Sequence, residues 1–206
     1  MDKISICSLN TRGLGNSKKR FSVFTWLKKS NYIIIFLQET HSTRMSESLW
    51  KKEWNDHCLF SHGTSASTGV CILFKNVPNL QVVKQFHDDG GRLLVCQVKI
   101  GEDMLTLCNV YGPNNDNPTF FDNCYDVLTE FHGSYIIGGD FNTVLNPVMD
   151  KCGGRENTHV RARISICNLL DNLNLIDIWR KHHSYNKIYT WKSLTKPLIL
   201  CRLHYF

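Results

Sequence analysis

A chain of 206 residues with 42% apolar and 20% charged side chains can bury a sizeable core, which excludes a disordered protein. Its formal net charge of +6 fits a nucleic-acid partner, although a solvated basic surface without a ligand fits it equally well. The longest clean apolar run, residues 32–37, is too short to cross a membrane, so no membrane partner is expected.

The number and spacing of the cysteines indicate the redox compartment of the protein. None of the nine cysteines has the C-x-x-C spacing, which argues against a zinc ribbon or a dithiol redox motif. The odd count, and an amino-terminal segment unlike a secretory leader, predict a reducing intracellular compartment.

Short apolar runs rich in β-branched and aromatic residues recur along the chain and predict strands. The predicted strands are 3–9, 32–38, 69–75, 80–86, 92–100, 104–111, 134–138, 187–191 and 198–206. Helical patterns lie between some of them, at 17–30, from the Asn117-Pro118 start through Leu128, and at 159–173. Many strands with few helices favour two packed sheets with helices outside, in a single domain spanning residues 1–206.

The first predicted helix, at 17–30, has one apolar face. Its spacing places Phe21, Phe24 and Leu27 on one buried face. The basic run at residues 18–20 either contacts nucleic-acid phosphate or forms a solvated helix start.

Polar residues of a particular kind follow four of the apolar runs. They are Asn10; Gln38 and Glu39; Asn109, Tyr111 and Asn114; and Asp140 and Asn142. Packed strands can bring their ends together at one rim, so these groups can converge. Carboxylate and amide oxygens suit Mg²⁺, and amides and a phenol can donate hydrogen bonds to phosphate oxygens. Each residue alone is also explained as a turn former or a solvated cap.

Taken in order, these segments resemble the endonuclease/exonuclease/phosphatase superfamily. The segments are SLNTRGL (8–14), LQETH (37–41), VYGPN (110–114), GGDFN (138–142) and YTW (189–191). The superfamily includes exonuclease III-type abasic-site endonucleases, deoxyribonuclease-I-like enzymes and the endonucleases of LINE-type retrotransposons. The motif sequences of this chain are most similar to those of the retrotransposon endonucleases. The resemblance implies a four-layer α/β sandwich, in which two packed mixed β-sheets are flanked by helices.

The resemblance also implies roles for individual residues. Glu39 matches the metal-binding glutamate, Asn10 supports the metal and the attacked phosphate, and Tyr111 contacts the phosphate. Asp140 and Asn142 match the pair that positions the attacking water, with Asp140 also near the metal. The implied cofactor is Mg²⁺ or Mn²⁺, and the implied reaction is hydrolysis of a DNA phosphodiester by an in-line water.

Further residues are expected to contact nucleic acid. They are Arg12, Asn114, Arg155, Thr190 and Trp191. The resemblance implies DNA as the partner, a monomeric nuclease in the nucleus, and a parent element in which a reverse transcriptase follows the nuclease.

The carboxy-terminal residues CRLHYF depart from the family pattern. His204 stands where the family has a catalytic aspartate, and an imidazole is not an anionic acceptor at neutral pH. The family continues with further strand and a Ser-Asp-His segment whose histidine is catalytic, and no residue here matches it. We therefore expect a sandwich that lacks its last strands, with an exposed sheet edge.

Three interpretations follow from this departure. The chain is an active nuclease in which other residues fill the missing roles, an impaired retrotransposon fragment that partly keeps DNA binding, or a non-enzymatic module that binds nucleic acid or protein. Within the superfamily, a phosphatase is the alternative to a nuclease. The impaired nuclease is the interpretation that the residues favour.

Overall fold

The computed structural model describes residues 4–155, 158–194 and 196–206, and the contacts within it divide the chain into two units. The first unit contains residues up to Tyr111 together with Phe131–Gly139. The second contains Gly112–Glu130 and Asp140–Phe206. The organisation of residues 1–206 as a single domain stays a prediction.

A four-stranded mixed sheet forms one half of the first unit. Its strand order is β1-β2-β4-β3, with β1 parallel to β2 and antiparallel pairing elsewhere. The strands are β1 (Ile6–Asn10), β2 (Ile34–Gln38), β3 (Cys58–Ser61) and β4 (Val70–Phe74). Helices α1 (Ser17–Lys29) and α2 (Arg44–Trp54) belong to the same unit.

Strand β2 is buried along its whole length because both of its faces are covered. Ile35 and Leu37 face a core cluster that also contains Phe24 of α1 and Trp50 and Trp54 of α2. The intervening residues point the other way, as the two-residue period of a strand requires. This alternation brings the last residue of β2, Gln38, to the face that meets the second sheet.

The second sheet packs on that face. Four strands of the first unit lie side by side in it, in the order β8-β7-β6-β5. They are β5 (Gln81–His87), β6 (Leu93–Ile100), β7 (Asp103–Tyr111) and β8 (Ser134–Asp140). Strand β5 is largely exposed, whereas β6 and β7 are mostly buried, so the centre of this sheet supplies the inner core.

The second unit combines helices with short strands. Helix α3 (Pro118–Thr129) packs against α5 (Val160–Asn172), and two short helices are α4 (Pro147–Asp150) and α6 (Ile178–His182). A small antiparallel sheet has the order β10-β11-β9. The short strands are β9 (Lys151–Cys152), β10 (Trp191–Lys192), β11 (Leu200–Cys201) and β12 (His204–Tyr205).

A buried ion-pair network centred on Arg202 links parts of the second unit. Arg202 donates to both carboxylate oxygens of Asp150, at 2.9 and 3.1 Å, and also to Asp177, the N-cap of α6. Its guanidinium lies between the rings of Trp179 and Tyr205, 5.1 and 4.4 Å from their centroids. Such a network ties three chain segments together, around Asp150, Asp177 and Arg202, because a buried charge requires its partners.

The predicted α/β class, with two mixed sheets and flanking helices, is confirmed. Most predicted strands and all three predicted helices are present, with ends shifted by a few residues. The strand predicted at 187–191 is wrong, since pairing starts only at Trp191. The strand predicted at 198–206 is interrupted and forms two short strands, β11 and β12.

Helix α2 and strand β3 were not predicted from the sequence. The signals for α2 were present: Thr43 and Ser46 form a reciprocal capping box, and Trp50 and Trp54 are four residues apart on the buried face. The assignment of Phe21 to the buried face of α1 is wrong, because its side chain is 72% exposed. Arg20 is buried instead, and its pairing with Glu53 means that it does not serve as a phosphate contact.

None of the helices formed by the described residues is both long and apolar enough to cross a membrane.

Candidate active site

The loop after β2 carries Glu39 in a constrained position. Glu39 has a left-handed backbone conformation, with φ of 48°, which an ordinary residue adopts only when its surroundings hold it there. The chain after β1 supplies that hold. The backbone N–H of Thr11 donates to the carbonyl of Gln38 at 2.8 Å, and that of Gly13 donates to the carbonyl of Glu39 at 2.6 Å.

The close approach of these two loops requires a glycine. Gly13 has a φ of +83°, and a Cβ added there would lie 2.8 Å from Nδ1 of His41. His41 therefore packs against the backbone of the neighbouring loop. On the other side, the backbone N–H of Thr40 donates to the carbonyl of Gly69 at 2.9 Å. The Glu39 loop is thus fixed from both sides.

A buried pair of amides joins the two sheets directly behind this loop. Nε2 of Gln38 donates to Oδ1 of Asn109 at 2.7 Å, and both residues have an exposed fraction of 0%. Nδ2 of Asn109 in turn donates to the carbonyls of Leu37 and Cys71, at 3.0 and 2.9 Å. Glu39 is the residue after Gln38, and Tyr111 lies two residues after Asn109. The buried amide pair therefore fixes the positions of both Glu39 and Tyr111.

Tyr111 and Glu39 meet at the ends of their strands. The Tyr111 hydroxyl donates a hydrogen bond to Oε1 of Glu39, and the Tyr111 side chain is almost fully buried. The guanidinium of Arg92 lies 4.9 Å from the centroid of the Tyr111 ring, and its Nη1 donates to the Tyr111 carbonyl at 3.2 Å. Sequence analysis missed Arg92, because nothing distinguishes an arginine at the start of a strand from a solvated one.

Asn10 ends β1 beside the same loop. It is paired in register with Gln38, the residue before Glu39, so two adjacent parallel strands deliver Asn10 and Glu39 to one edge of the sheet. Oδ1 of Asn10 accepts the backbone N–H of Arg12 at 3.0 Å, and Arg12 itself is exposed. Nζ of Lys19 donates to the Arg12 carbonyl at 2.9 Å and holds this turn.

The donor set of the first unit fits a hard divalent cation. Glu39 offers a carboxylate and Asn10 an amide oxygen, which are ligand types that Mg²⁺ takes together with retained water. No cluster of three or more histidine, cysteine, aspartate or glutamate side chains suited to a metal occurs among the described residues. A carboxylate with an amide oxygen is a donor set that suits Mg²⁺ better than zinc, which prefers histidine or cysteine ligands.

Asp140 and Asn142 lie together in the second unit. The backbone N–H of Asn142 donates to Oδ1 of Asp140 at 3.0 Å, and Nδ2 of Asn142 donates to the carbonyl of Gly112 at 2.8 Å. A Cβ on Gly112 would lie 2.2 Å from the carbonyl oxygen of Phe141, so only glycine fits there. Nδ1 of His159 donates to the Asn142 carbonyl at 2.9 Å, a contact that the sequence did not predict.

His204 lies next to Asp140. Its Nε2 is 3.7 Å from Oδ2 of Asp140, and its Nδ1 is 3.0 Å from the hydroxyl of Thr190. Thr190, expected to contact DNA, thus already has its hydroxyl hydrogen-bonded within the chain. Its role toward DNA stays a prediction.

The remaining residues expected to contact nucleic acid are exposed. Asn114 and Arg155 lie in loops and Trp191 begins β10, so their side chains are accessible. Between Asn114 and α3, Asp116 accepts the backbone N–H of Ala162 at 2.8 Å and caps the start of α5. The structure thus gathers Asn10, Glu39 and Tyr111 in one unit, and Asp140, Asn142, Thr190 and His204 in the other. That the two groups form one catalytic site stays a prediction.

These features are accompanied by a family match. The model of the Endonuclease/Exonuclease/phosphatase family matches residues 7–149, and the chain belongs to that family. The chain is 31% identical, over 196 residues, to an uncharacterised 149 kDa protein of transposon TX1 from Xenopus laevis. That match covers 91% of this chain and 14% of the relative, so the chain spans a small part of that protein.

Solved structures share the fold. The AP endonuclease LMAP from Leishmania major superposes with a TM-score of 0.81 at 16% identity, covering 98% of this chain and 78% of that one. The endonuclease domain of TRAS1, a telomere-specific non-LTR retrotransposon, superposes with a TM-score of 0.65 at 14% identity. That match covers 98% of this chain and 84% of the TRAS1 domain. The predicted resemblance to this superfamily, with a transposon relative, is confirmed.

Proposed function

We propose that this chain is a metal-dependent DNA endonuclease of retrotransposon type. The observation that carries the proposal is the junction of Glu39, Tyr111 and Asn10, which places a carboxylate, a phenol and an amide at one sheet edge in a member of a nuclease and phosphatase family. The transposon relative and the structural similarity to nucleases favour DNA as the substrate. For a protein that acts on chromosomal DNA we propose a nuclear location, and nothing in the proposal requires more than a monomer.

In this proposal, Glu39 and Asn10 hold Mg²⁺ or Mn²⁺. When bound, the cation offsets the negative charge that develops on the phosphate and on the leaving oxygen. Tyr111 has one hydroxyl proton, which it donates to Glu39 in the structure and redirects to a phosphate oxygen when DNA is bound. The burial of the Tyr111 ring and its stacking against Arg92 keep that hydroxyl in a fixed place.

Asp140 and Asn142 act on the water and the phosphate. Asp140 accepts a hydrogen bond from the attacking water and orients it, while its other oxygen is held by the backbone N–H of Asn142. The side-chain amide of Asn142, oriented by the Gly112 carbonyl, is within the same turn and donates toward the phosphate.

A plasmid-nicking assay tests the proposal. Supercoiled plasmid is incubated with the chain and Mg²⁺, with and without a chelator, and nicked circles are counted over time. The comparison uses Glu39→Gln, which removes the proposed ligand charge, and Glu102→Gln, which removes a charge from a carboxylate that is 96% exposed. We expect chelator-sensitive nicking that Glu39→Gln abolishes and Glu102→Gln preserves.

Calorimetric titration with Mn²⁺ provides a second measurement. Glu39→Gln should weaken Mn²⁺ binding by at least about 10-fold, because a charged ligand is replaced by a neutral one. Nicking that continues in the chelator, or that Glu39→Gln leaves unchanged, would contradict the proposal.

A second function is supported by one observation. His204 stands where the family has an aspartate, so catalysis could be lost while the DNA-binding surface is kept. A chain that binds duplex DNA but never nicks it would identify a nucleic-acid-binding module. Release of phosphate from a small phosphate monoester, without plasmid nicking, would instead identify a phosphatase.

A further inference from the structure

The hydroxyl of Thr190 has three nitrogen neighbours. The backbone N–H of Leu203 donates to it at 2.9 Å, and the backbone N–H of His204 donates to it at 3.3 Å. Nδ1 of the His204 ring lies 3.0 Å from the same oxygen. Thr190 therefore fixes the backbone at residues 203–204 and one edge of the imidazole at once.

Counting protons at this oxygen assigns the state of the ring. A threonine hydroxyl has one proton to donate and two lone pairs to accept with. The two backbone N–H groups occupy both lone pairs, so the remaining hydroxyl proton is directed at Nδ1 of His204. Nδ1 is then an acceptor, and the ring proton of the neutral imidazole is on Nε2.

Nε2 is the ring atom that faces Asp140. It lies 3.7 Å from Oδ2, while Oδ1 receives the backbone N–H of Asn142 at 3.0 Å. The Asp140 side chain is 4% exposed, and a carboxylate that is nearly removed from water needs N–H groups directed at its oxygens. Within the second unit, Asn142 donates to Oδ1, and Nε2 of His204 lies 3.7 Å from Oδ2, an electrostatic contact longer than a direct hydrogen bond.

We propose that His204 is a positioning residue for Asp140, with Thr190 selecting the tautomer whose Nε2–H is directed at the carboxylate. This inference rests on the proposed function for the role of Asp140 in hydrolysis. In this proposal His204 has a role of its own in the site, although the family's aspartate is absent from that position.

The tautomer can be measured without metal or DNA. Two-bond ¹H–¹⁵N correlation spectra of the ¹⁵N-histidine-labelled chain, at a pH where the imidazole is neutral, show which ring nitrogen carries the proton. We expect Nε2–H in the native chain and in Thr190→Ser, which keeps the hydroxyl. Thr190→Val, which lacks it, should show a mixture of tautomers. A native ring protonated on Nδ1 would overturn the proposal, and that measurement needs no variant to fold.

Nicking rates test the consequence for Asp140. His204→Gln keeps an N–H donor at a similar reach, and we expect its kcat within about 3-fold of the native value. His204→Ala and His204→Asp should lower kcat by roughly 5- to 10-fold, because the N–H group that faces the Asp140 carboxylate is removed. The KM for plasmid should change little, since Asp140 acts on the water. If His204→Gln and His204→Ala have the same kcat, whether both match the native value or both fall below it, the positioning role is overturned.

The two measurements separate this inference from the proposed function. If the native chain shows no chelator-sensitive nicking, the proposed function fails. The tautomer then decides the inference alone, with Nε2–H supporting the arrangement of Thr190, His204 and Asp140 and Nδ1–H overturning it.

Discussion

The hydroxyl of Tyr111 donates a hydrogen bond to Oε1 of Glu39, and it does so from a strand in the opposite sheet. Because the ring is almost fully buried and Arg92 stacks on it, the phenol has little freedom to leave this position. The carboxylate of Glu39 is therefore oriented before any ligand arrives, which lowers the cost of organising the site.

Removing the Tyr111 hydroxyl should slow hydrolysis without unfolding the chain. Tyr111→Phe keeps the ring and its contact with Arg92, and we expect plasmid nicking to fall roughly 10-fold, the equivalent of about 1.4 kcal/mol. Tyr135→Phe is the matched control, because the Tyr135 hydroxyl bonds the Phe131 carbonyl rather than Glu39. Equal losses in both variants would show that the effect is structural.

The buried amide pair should be necessary for both stability and the site. Gln38→Leu leaves Oδ1 of Asn109 without its 2.7 Å donor in a fully buried place, so we expect a loss of about 1–3 kcal/mol in the free energy of unfolding. Urea unfolding measures this loss. Gln81→Leu, at an exposed position in β5, is the control. An equal loss of unfolding free energy in Gln81→Leu would contradict the role of the buried pair.

Acid should weaken the contact between α1 and α2. Hydrogen bonds from Arg20 hold the pKa of Glu53 below its ordinary value of 4.5, although partial burial opposes this. A carboxyl whose pKa is lower in the folded state adds stability above pH 4.5. That stability is lost as the pH falls through the lowered pKa.

The variant Glu53→Gln tests this pH dependence. At neutral pH it should lower the free energy of unfolding by roughly 1–2 kcal/mol, a modest loss because Glu53 is 32% exposed. Below the folded pKa both side chains are neutral, so the two unfolding free energies should converge. Urea unfolding at several pH values measures this, with Glu102→Gln as the exposed control. A constant difference between native and variant at every pH would refute the assignment.

Binding to duplex DNA should depend strongly on salt. With about four phosphate contacts, the affinity should fall roughly 100-fold between about 50 mM and 200 mM salt, because condensed counterions are released from DNA. The exposed residue Arg155 is a candidate contact, so Arg155→Ala should reduce the salt slope by about one. Lys29→Ala, which removes an exposed charge in α1, is the control. Fluorescence anisotropy measures the affinity, and an unchanged affinity across this salt range would rule out phosphate-dominated binding.

The sequence by itself determined the family and predicted the places where the chemistry should be found. Strand periodicity and the segments around Glu39, Tyr111 and Asp140 are local patterns, because each polar residue directly follows an apolar run. Local patterns also predicted α3, whose start at Asn117-Pro118 is a cap that needs no tertiary contact.

Only the tertiary structure decided which of these polar residues are buried between the sheets and which meet at the strand ends. Gln38 and Asn109 have the same sequence signature as Glu39 and Tyr111, yet they are buried between the sheets and bond each other. Likewise, Arg20 pairs with Glu53, which lies 33 residues away in the chain. The periodicity of the sequence does not predict such partners, because the burial and pairing of a polar group depend on which residues folding brings next to it.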